Sequence, residues 1–448
     1  MTNDAGRALD DHEPMAEVHA DDADPIVELY VLAPDAAGRV PAMSPIEIRL
    51  GPGQRILPAA RRSIATDPAL DRPVLEVFVP AGSETLDRIP VLIVLEPAAD
   101  PAAGPALDPA RLPPDLQARA ATWLAEWSGV AVPDLRAAWA RPGWFDAARA
   151  WLDTTLGRTG HARSGPLEPQ RAWGLSALLR AETTRGPVWL KAVMPHFHAE
   201  PAVTAWLAQR YPDAVPEVLG IDVVRRLLLT AEMPGGTARA AGGEATAPGA
   251  VALLATLQRD GARHLADLRA RGLPERPLSA LADDLARTWD RSDPVSDLGL
   301  RVGRLSGLVD WVRAAADDLG TLDLPDGLVH GDFHAGNVGV DGDRLRIFDW
   351  SDAAIAHPLL DATPWMQDAA TAEDGEALWR PWVEAWQDRV PASELASRRV
   401  AVAGLGAAYQ LVSLDGILRG MEPAIRHTLS DSAAGYAAIL DRAARGEG

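Results

Sequence analysis

The chain contains no cysteine, which excludes disulfides, thiolate nucleophiles and cysteine-ligated zinc. Positive charge is scarce: 43 basic residues stand against 63 acidic ones, for a net charge of −20. Neither nucleic acid nor an anionic membrane is expected as a partner, because each selects a basic footprint. Lysine is nearly absent, with Lys191 alone among arginines. A long uninterrupted apolar run is missing too. The longest candidate, "VAVAGLGAAYQLVSLDGIL" from Val400, carries Gln410, Ser413 and Asp415 and reads as a buried helix rather than a membrane span. The opening "MTNDAGRALDDHEPMAEVHADDAD" is acidic and lacks the apolar core of a secretory signal. A cytoplasmic location is the expectation.

What is present suggests several domains in 448 residues. Residues 1–25 read as a disordered acidic tail. Residues 26–130 read as a β-rich accessory domain, with strands in "PIVELYVLA", "IEIRL", "VLEVFVP" and "IPVLIVLEP". Residues 97–115, rich in Pro and Ala, read as a linker or long surface loop, and helical spacing follows at 115–128 and 143–157. Residues 136–235 then hold a small sheet lobe. In it "AWGLSALLRAET" and "GPVWLKAV" form two strands joined at Thr184–Gly186, "EPAVTAWLAQRY" forms a helix, and "VPEVLGIDVVRRLLLTAEM" forms two more strands. Residues 236–448 are mainly helical, broken by "GLVHGDFHAGNVGVDGDRLRIFDWSDA", a loop with a hairpin at 338–340 and 344–348. The fold class is α+β.

The break carries the chemistry. Asp332 and Asn337 stand five apart on a loop, and Asp349 ends the hairpin twelve residues later. Phosphoryl transfer from a nucleoside triphosphate uses Mg²⁺ held by a few hard oxygens, with a carboxylate beside the attacking hydroxyl. Asn337 and Asp349 can supply the metal oxygens, and Asp332 can orient the hydroxyl or accept its proton. Lys191, a compact point charge where all other cations are planar forks, suits the nucleotide phosphates.

"LVHGDFHAGNVGV…IFDWSDA" resembles the aminoglycoside phosphotransferase family, small-molecule kinases with a protein-kinase-like two-lobe fold. The wider resemblance runs from "RPGWFDAARAWLDTTLG" at 141 to the end of the chain. It implies Mg²⁺ as cofactor, ATP or GTP as co-substrate, and a hydroxyl on an aminoglycoside, amino alcohol or sugar-like molecule as acceptor. It also implies Asp332 as the catalytic aspartate, Asn337 and Asp349 as metal ligands, and Lys191 on the phosphates with Glu200 as its ion-pair partner. Glu232 and Met233, within "AEMP", would form the purine-contacting hinge. His330 and Asp361 would support the catalytic loop.

Other assignments compete at several positions. Glu200 in a first helical turn also stabilises that helix by charge alone. His196, His198, His334 and His357 read as packing or surface residues rather than metal ligands, and Trp350 and Trp365 as core. The turn expected to cover the phosphates holds only Gly174, which leaves Ser176 and backbone N–H groups for that role. Asp368, Glu373, Asp374 and Glu376 are candidates to meet a cationic acceptor. Residues 26–130 resemble a Nudix-type α/β domain without its acidic metal helix, since only Glu126 falls there, so a structural or gating role is expected. A catalytically silent kinase-like module is the alternative function. A protein kinase ranks last, because no activation segment follows Asp349.

Overall fold

Alternation along strand β4 (Arg88–Leu95) explains the first sheet. Ile89, Val91, Ile93 and Leu95 join one apolar cluster, while Leu92 and Val94 join another. Beyond Arg88 the strand is apolar because both of its faces are covered. Helix α1 (Ile56–Ile64) covers the first face through Ile56, Leu57, Ala60 and Ile64; α2 (Pro114–Trp127) covers the second through Leu116, Ala120 and Trp123. β1 (Ile26–Leu32) runs parallel to β4, and β2 (Ile46–Arg49) and β3 (Val74–Phe78) pair antiparallel at the edges, in the order β2-β1-β4-β3.

The computed structural model describes residues 25–51, 54–83, 86–101, 104–290, 305–367 and 372–447. The acidic tail, Asp368 and the side chains of Glu373 and Asp374 lie outside the described residues. The chain folds as two units. One holds the described residues up to Met194 together with Gly420–Thr428; the other holds Pro195–Arg419 and Leu429–Gly448.

In the first unit the N-terminal sheet continues into α3 (Trp144–Arg158) and a three-strand meander, β5 (Arg163–Ala172), β6 (Ser176–Thr183) and β7 (Val188–Val193). The sheet of β1–β4 does not stand as a separate unit, because α1 packs on β5 and the 420–428 segment is inserted beside it. Within 97–115, Pro105 and Leu107 are tied to the sheet side of the unit, with Ala42 N–H donating to the Pro105 carbonyl at 2.9 Å and Leu107 N–H to that of Val40 at 2.8 Å.

A buried ion network ties this unit together. Arg119 on α2 donates through Nε to both carboxylate oxygens of Glu76 on β3, at 3.0 and 2.9 Å, and through Nη1 to Glu422 at 2.7 Å. Arg136 donates to Glu422 at 2.8 Å and lies 3.7 Å from the centre of the Trp123 ring. Burial opposes ionisation of Glu422, but the hydrogen bond from Arg119 and the charges of Arg119 and Arg136 outweigh it and hold the carboxyl below its ordinary range. Glu126, 3.1 Å from Arg136, is pushed up by burial.

The second unit opens with α4 (Glu200–Arg210) and the hairpin β8 (Val218–Asp222) and β9 (Leu227–Ala231). After β10 (Gly236–Thr237) come α5 (Gly243–Gly261), α6 (Leu265–Ala270), α7 (Leu278–Asp290) and α8 (Leu305–Leu319). The expected break follows as β11 (Gly327–Val329), the hairpin β12 (Val338–Asp341) and β13 (Arg344–Ile347), and β14 (Ala354–Ala356) paired with β11. The chain closes with α9 (Ala362–Met366), α10 (Ala372–Trp386), α11 (Ala392–Ser397), α12 (Arg399–Arg419) and α13 (Ser430–Ala444). Helix α12 is long and apolar enough to cross a membrane, yet most of it is buried against α7, α8, α9 and α13. Its apolar character is explained by that packing.

Candidate active site

Residues 330–337 connect β11 to β12, and Asp332 alone among them is not buried. The loop owes its path to Gly331, at φ +84°. A Cβ there would stand 2.1 Å from the Asp352 carbonyl oxygen, so only glycine lets the two backbones pass. Asp361 secures the same stretch by accepting the backbone N–H groups of His330 and Gly331, each at 2.8 Å. Gln258 on α5 donates to Asp361 at 2.8 Å and to the Pro358 carbonyl at 3.0 Å, while Gln410 on α12 donates to the Gly331 carbonyl. Burial pushes Asp361 up to about 6, against the opposing pull of these hydrogen bonds.

Both nitrogens of His330 are engaged. Nε2 lies 2.8 Å from the Phe348 carbonyl and must donate, which leaves Nδ1 to accept the Asp332 N–H at 3.3 Å. The ring is therefore a strut between the loop and the hairpin. His334, which the sequence did not single out for the site, does more. Its Nδ1 accepts the Gly336 N–H at 3.0 Å and caps the turn at 335–337. That places the proton on Nε2, which stands 3.7 Å from Asp332 Oδ2.

Asn337 is buried, and its side-chain amide donates to the Asp332 carbonyl at 2.9 Å. Its own carbonyl accepts the Phe348 N–H at 3.0 Å, continuing the β12–β13 register in which Val338 faces Ile347. This pairing brings Asn337 within one residue of Asp349. Asp349 adopts φ +62°, a conformation non-glycine residues seldom take, and accepts the Ser351 hydroxyl. Backbone outliers of this kind concentrate where geometry is functional. The structure thus brings Asp332, Asn337, Asp349, His330 and Asp361 together. With its amide nitrogen committed to Asp332, Asn337 presents Oδ1, and Asp349 presents a carboxylate. Two hard oxygens of this type suit a hard divalent cation. Among the described residues no group of three His, Cys, Asp or Glu is arranged to hold a metal, so other ligands would come from phosphate and water.

A buried support that spacing could not reveal lies behind the loop. Asp352 accepts the Ser413 hydroxyl at 2.7 and 2.8 Å and Arg276 Nη1 at 3.3 Å. Burial raises the Asp352 carboxyl, against the pull of Arg276 and Ser413. His196 packs in the same region, 3.5 Å from Arg276, and burial with the Arg276 charge lowers it to about 4. His357 caps the turn at Pro358–Asp361, and burial lowers it to about 4. Trp350 and Trp365 are fully buried core residues.

Glu232 and Met233 follow β9 and line a cavity of about 1,070 Å³ of empty space, open solvent included, with Gln209, Glu217 and Arg346. Glu200 opens α4 and is buried. Lys191 and Ser176 belong to the first unit. Lys191 is half-buried on β7 opposite Leu178 on β6. Ser176 is buried, and its hydroxyl accepts the Trp173 indole N–H at 3.2 Å. A Cβ at Gly174 would meet Met421 and Ile425 at 2.6 and 2.9 Å, so that glycine serves close packing.

Residues 178–399 match the phosphotransferase enzyme family. The matched segment contains every candidate site residue except Ser176, and the resemblance carried by the loop motif is borne out. The region has the kinase-like fold of small-molecule kinases, with mixed helices and sheets. The chain is similar to a solved choline/ethanolamine kinase family protein from Mesorhizobium loti, at 19% identity over 67% of this chain and 98% of that one, TM-score 0.48. A macrolide 2′-phosphotransferase from Brachybacterium faecium matches at 19% identity over 66% and 96%, TM-score 0.42. Plasmodium vivax ethanolamine kinase matches at 10% identity over 73% and 96%, TM-score 0.47. No curated protein matches the chain by sequence.

Proposed function

We propose that the protein is a Mg²⁺-dependent small-molecule kinase that moves the γ-phosphate of ATP or GTP to a hydroxyl. The observation that carries this reading is the gathering of Asp332, Asn337 and Asp349, with Asp332 keeping contact with solvent while the rest of its loop is buried. Asp332 would hold the acceptor hydroxyl and take its proton as the new O–P bond forms. Asn337 and Asp349 would hold Mg²⁺, which when bound supplies charge neutralisation at the transferring phosphate. Lys191 would contact the nucleotide phosphates, with Glu200 as its partner, and Glu232 and Met233 would meet the purine. Catalysis of this kind rests on positioning and charge stabilisation, and the Asp361, Gln258 and Gln410 bonds fix the loop for that purpose. Glu376 and its acidic neighbours would favour an acceptor carrying an amine.

The packed turn at Gly174 and Ser176 favours a second reading, a kinase-like module that binds nucleotide without transfer. One assay separates the two: release of labelled γ-phosphate from ATP and from GTP onto pools of aminoglycosides, amino alcohols and sugars, with Mg²⁺ and with Asp332→Asn as control. Transfer into one pool that the variant abolishes supports the kinase. Nucleotide binding with no transfer to any pool supports the silent module.

A further inference from the structure

The turn at 335–337 is held by β10 and the residues that follow it. Thr237 on β10 faces Gly339 on β12, and the chain beyond continues the contact. Ala238 N–H donates to the Val338 carbonyl at 2.8 Å, and Arg239 N–H donates to the Ala335 carbonyl at 3.1 Å. A Cβ at Gly243, where α5 begins, would stand 3.0 Å from that of Ala335. His334 heads this turn and is 1% exposed. A buried ring in so closely packed a place has little room to turn.

Two donors meet one nitrogen of that ring. Gly336 N–H lies 3.0 Å from Nδ1, and Arg239 Nη2 lies 3.4 Å from the same atom. Both are satisfied only if Nδ1 keeps its lone pair, so the ring proton sits on Nε2. Nε2 stands 3.7 Å from Asp332 Oδ2, and the Asn337 amide nitrogen stands 3.5 Å from that oxygen. At 3.7 Å the imidazole makes a loose contact rather than a hydrogen bond. Contacts of this kind at catalytic carboxylates often close up when substrate binds.

We propose that His334 is a positioning residue for Asp332. Its Nε2–H, aimed by the Gly336 and Arg239 donors on Nδ1, fixes the carboxylate in the orientation that meets the acceptor hydroxyl. This role rests on the kinase reading and acts through Asp332 alone.

Two replacements separate the role from the ring's work as a cap. Asn is a good cap and keeps an acceptor for Gly336 N–H, but it is too short to donate to Asp332. Gln reaches the place of Nε2 with an amide N–H and gives up the cap geometry. His334→Asn should melt close to wild type and lose about 10–100-fold in turnover, with KM for nucleotide unchanged. His334→Gln should melt lower yet turn over faster than His334→Asn. A purely structural ring would give the reverse order, with turnover following melting temperature, and that result would overturn the proposal. Imidazole ¹⁵N resonances of the full chain supply a readout that needs no transfer. His334 should carry its proton on Nε2, and Asp332→Asn should move the Nε2 resonance while leaving that of Nδ1 in place. A proton on Nδ1, or an Nε2 resonance indifferent to Asp332→Asn, would overturn the proposal even if neither His334 variant folds. Absence of transfer by the wild-type chain, with the Nε2 resonance still responding to Asp332→Asn, would count against the kinase reading alone.

Discussion

The side-chain amide of Asn337 donates to the Asp332 carbonyl at 2.9 Å, and the direction of that bond leaves Asn337 Oδ1 as the amide's acceptor atom. Asn337→Ala removes both the brace on Asp332 and the oxygen. The Mg²⁺ concentration giving half-maximal transfer should rise by about 10–100-fold. A metal titration of initial rates checks this.

Asp332→Asn keeps the shape of the side chain and removes its capacity to accept a proton. Turnover should fall by about 100–10,000-fold, with nucleotide affinity little changed. Transfer at the wild-type rate would end the assignment of Asp332.

Asp361 gives a prediction in pH. Burial raises it to about 6 from an ordinary value of 3.8, so between these limits the folded chain holds a proton that the unfolded chain lacks. The stability contributed by this group therefore declines as pH rises from about 4 to 6, then levels off. Activity should move the opposite way across that window, because the ionised form accepts both loop N–H groups without offering them a competing O–H. Melting temperature and phosphotransfer measured on one pH series should diverge.

Gly331→Ala tests the crossing of the loop over Asp352. The left-handed backbone alone costs a side chain about 1–3 kcal/mol, and the added Cβ would collide with a carbonyl. Transfer should be lost while a far-ultraviolet circular dichroism spectrum still reports a folded chain.

Glu422→Ala leaves Arg119 and Arg136 short of a shared buried anion. Breaking such a pair from one side costs about 3–5 kcal/mol. The urea midpoint should fall accordingly, and Glu422→Gln should fall less.

Legibility in the sequence followed local signal. The β-branched runs of β1, β3 and β4 announce strands, and "HGDFHAGN" with Asp349 announces the candidate site. Strand β5, "RSGPLEPQRA", is hidden in the sequence by its glycine and two prolines; it pairs with β6 through two irregularities in register. Helix α1 was masked by Pro58, which a first turn tolerates. Arg276 and Gln258 could not be linked to the site, because they lie far from the motif in sequence. Gln410 and Ser413 did leave a trace, as polar residues on a mostly apolar helix. That trace argued against a membrane span, and the structure gives the polar groups their buried partners, the Gly331 carbonyl and Asp352.

The placement of Glu422 has a consequence for biosynthesis. Arg119 meets it across 303 residues of intervening sequence, and the segment that carries it belongs to a unit otherwise finished by Met194. A chain made from its N-terminus can build the first sheet early, but two interior guanidinium groups wait there for a carboxylate that is translated long after both of them. Until it arrives the ion network is incomplete, so the late segment acts as a fastener, and a chain cut short before it loses that fastener.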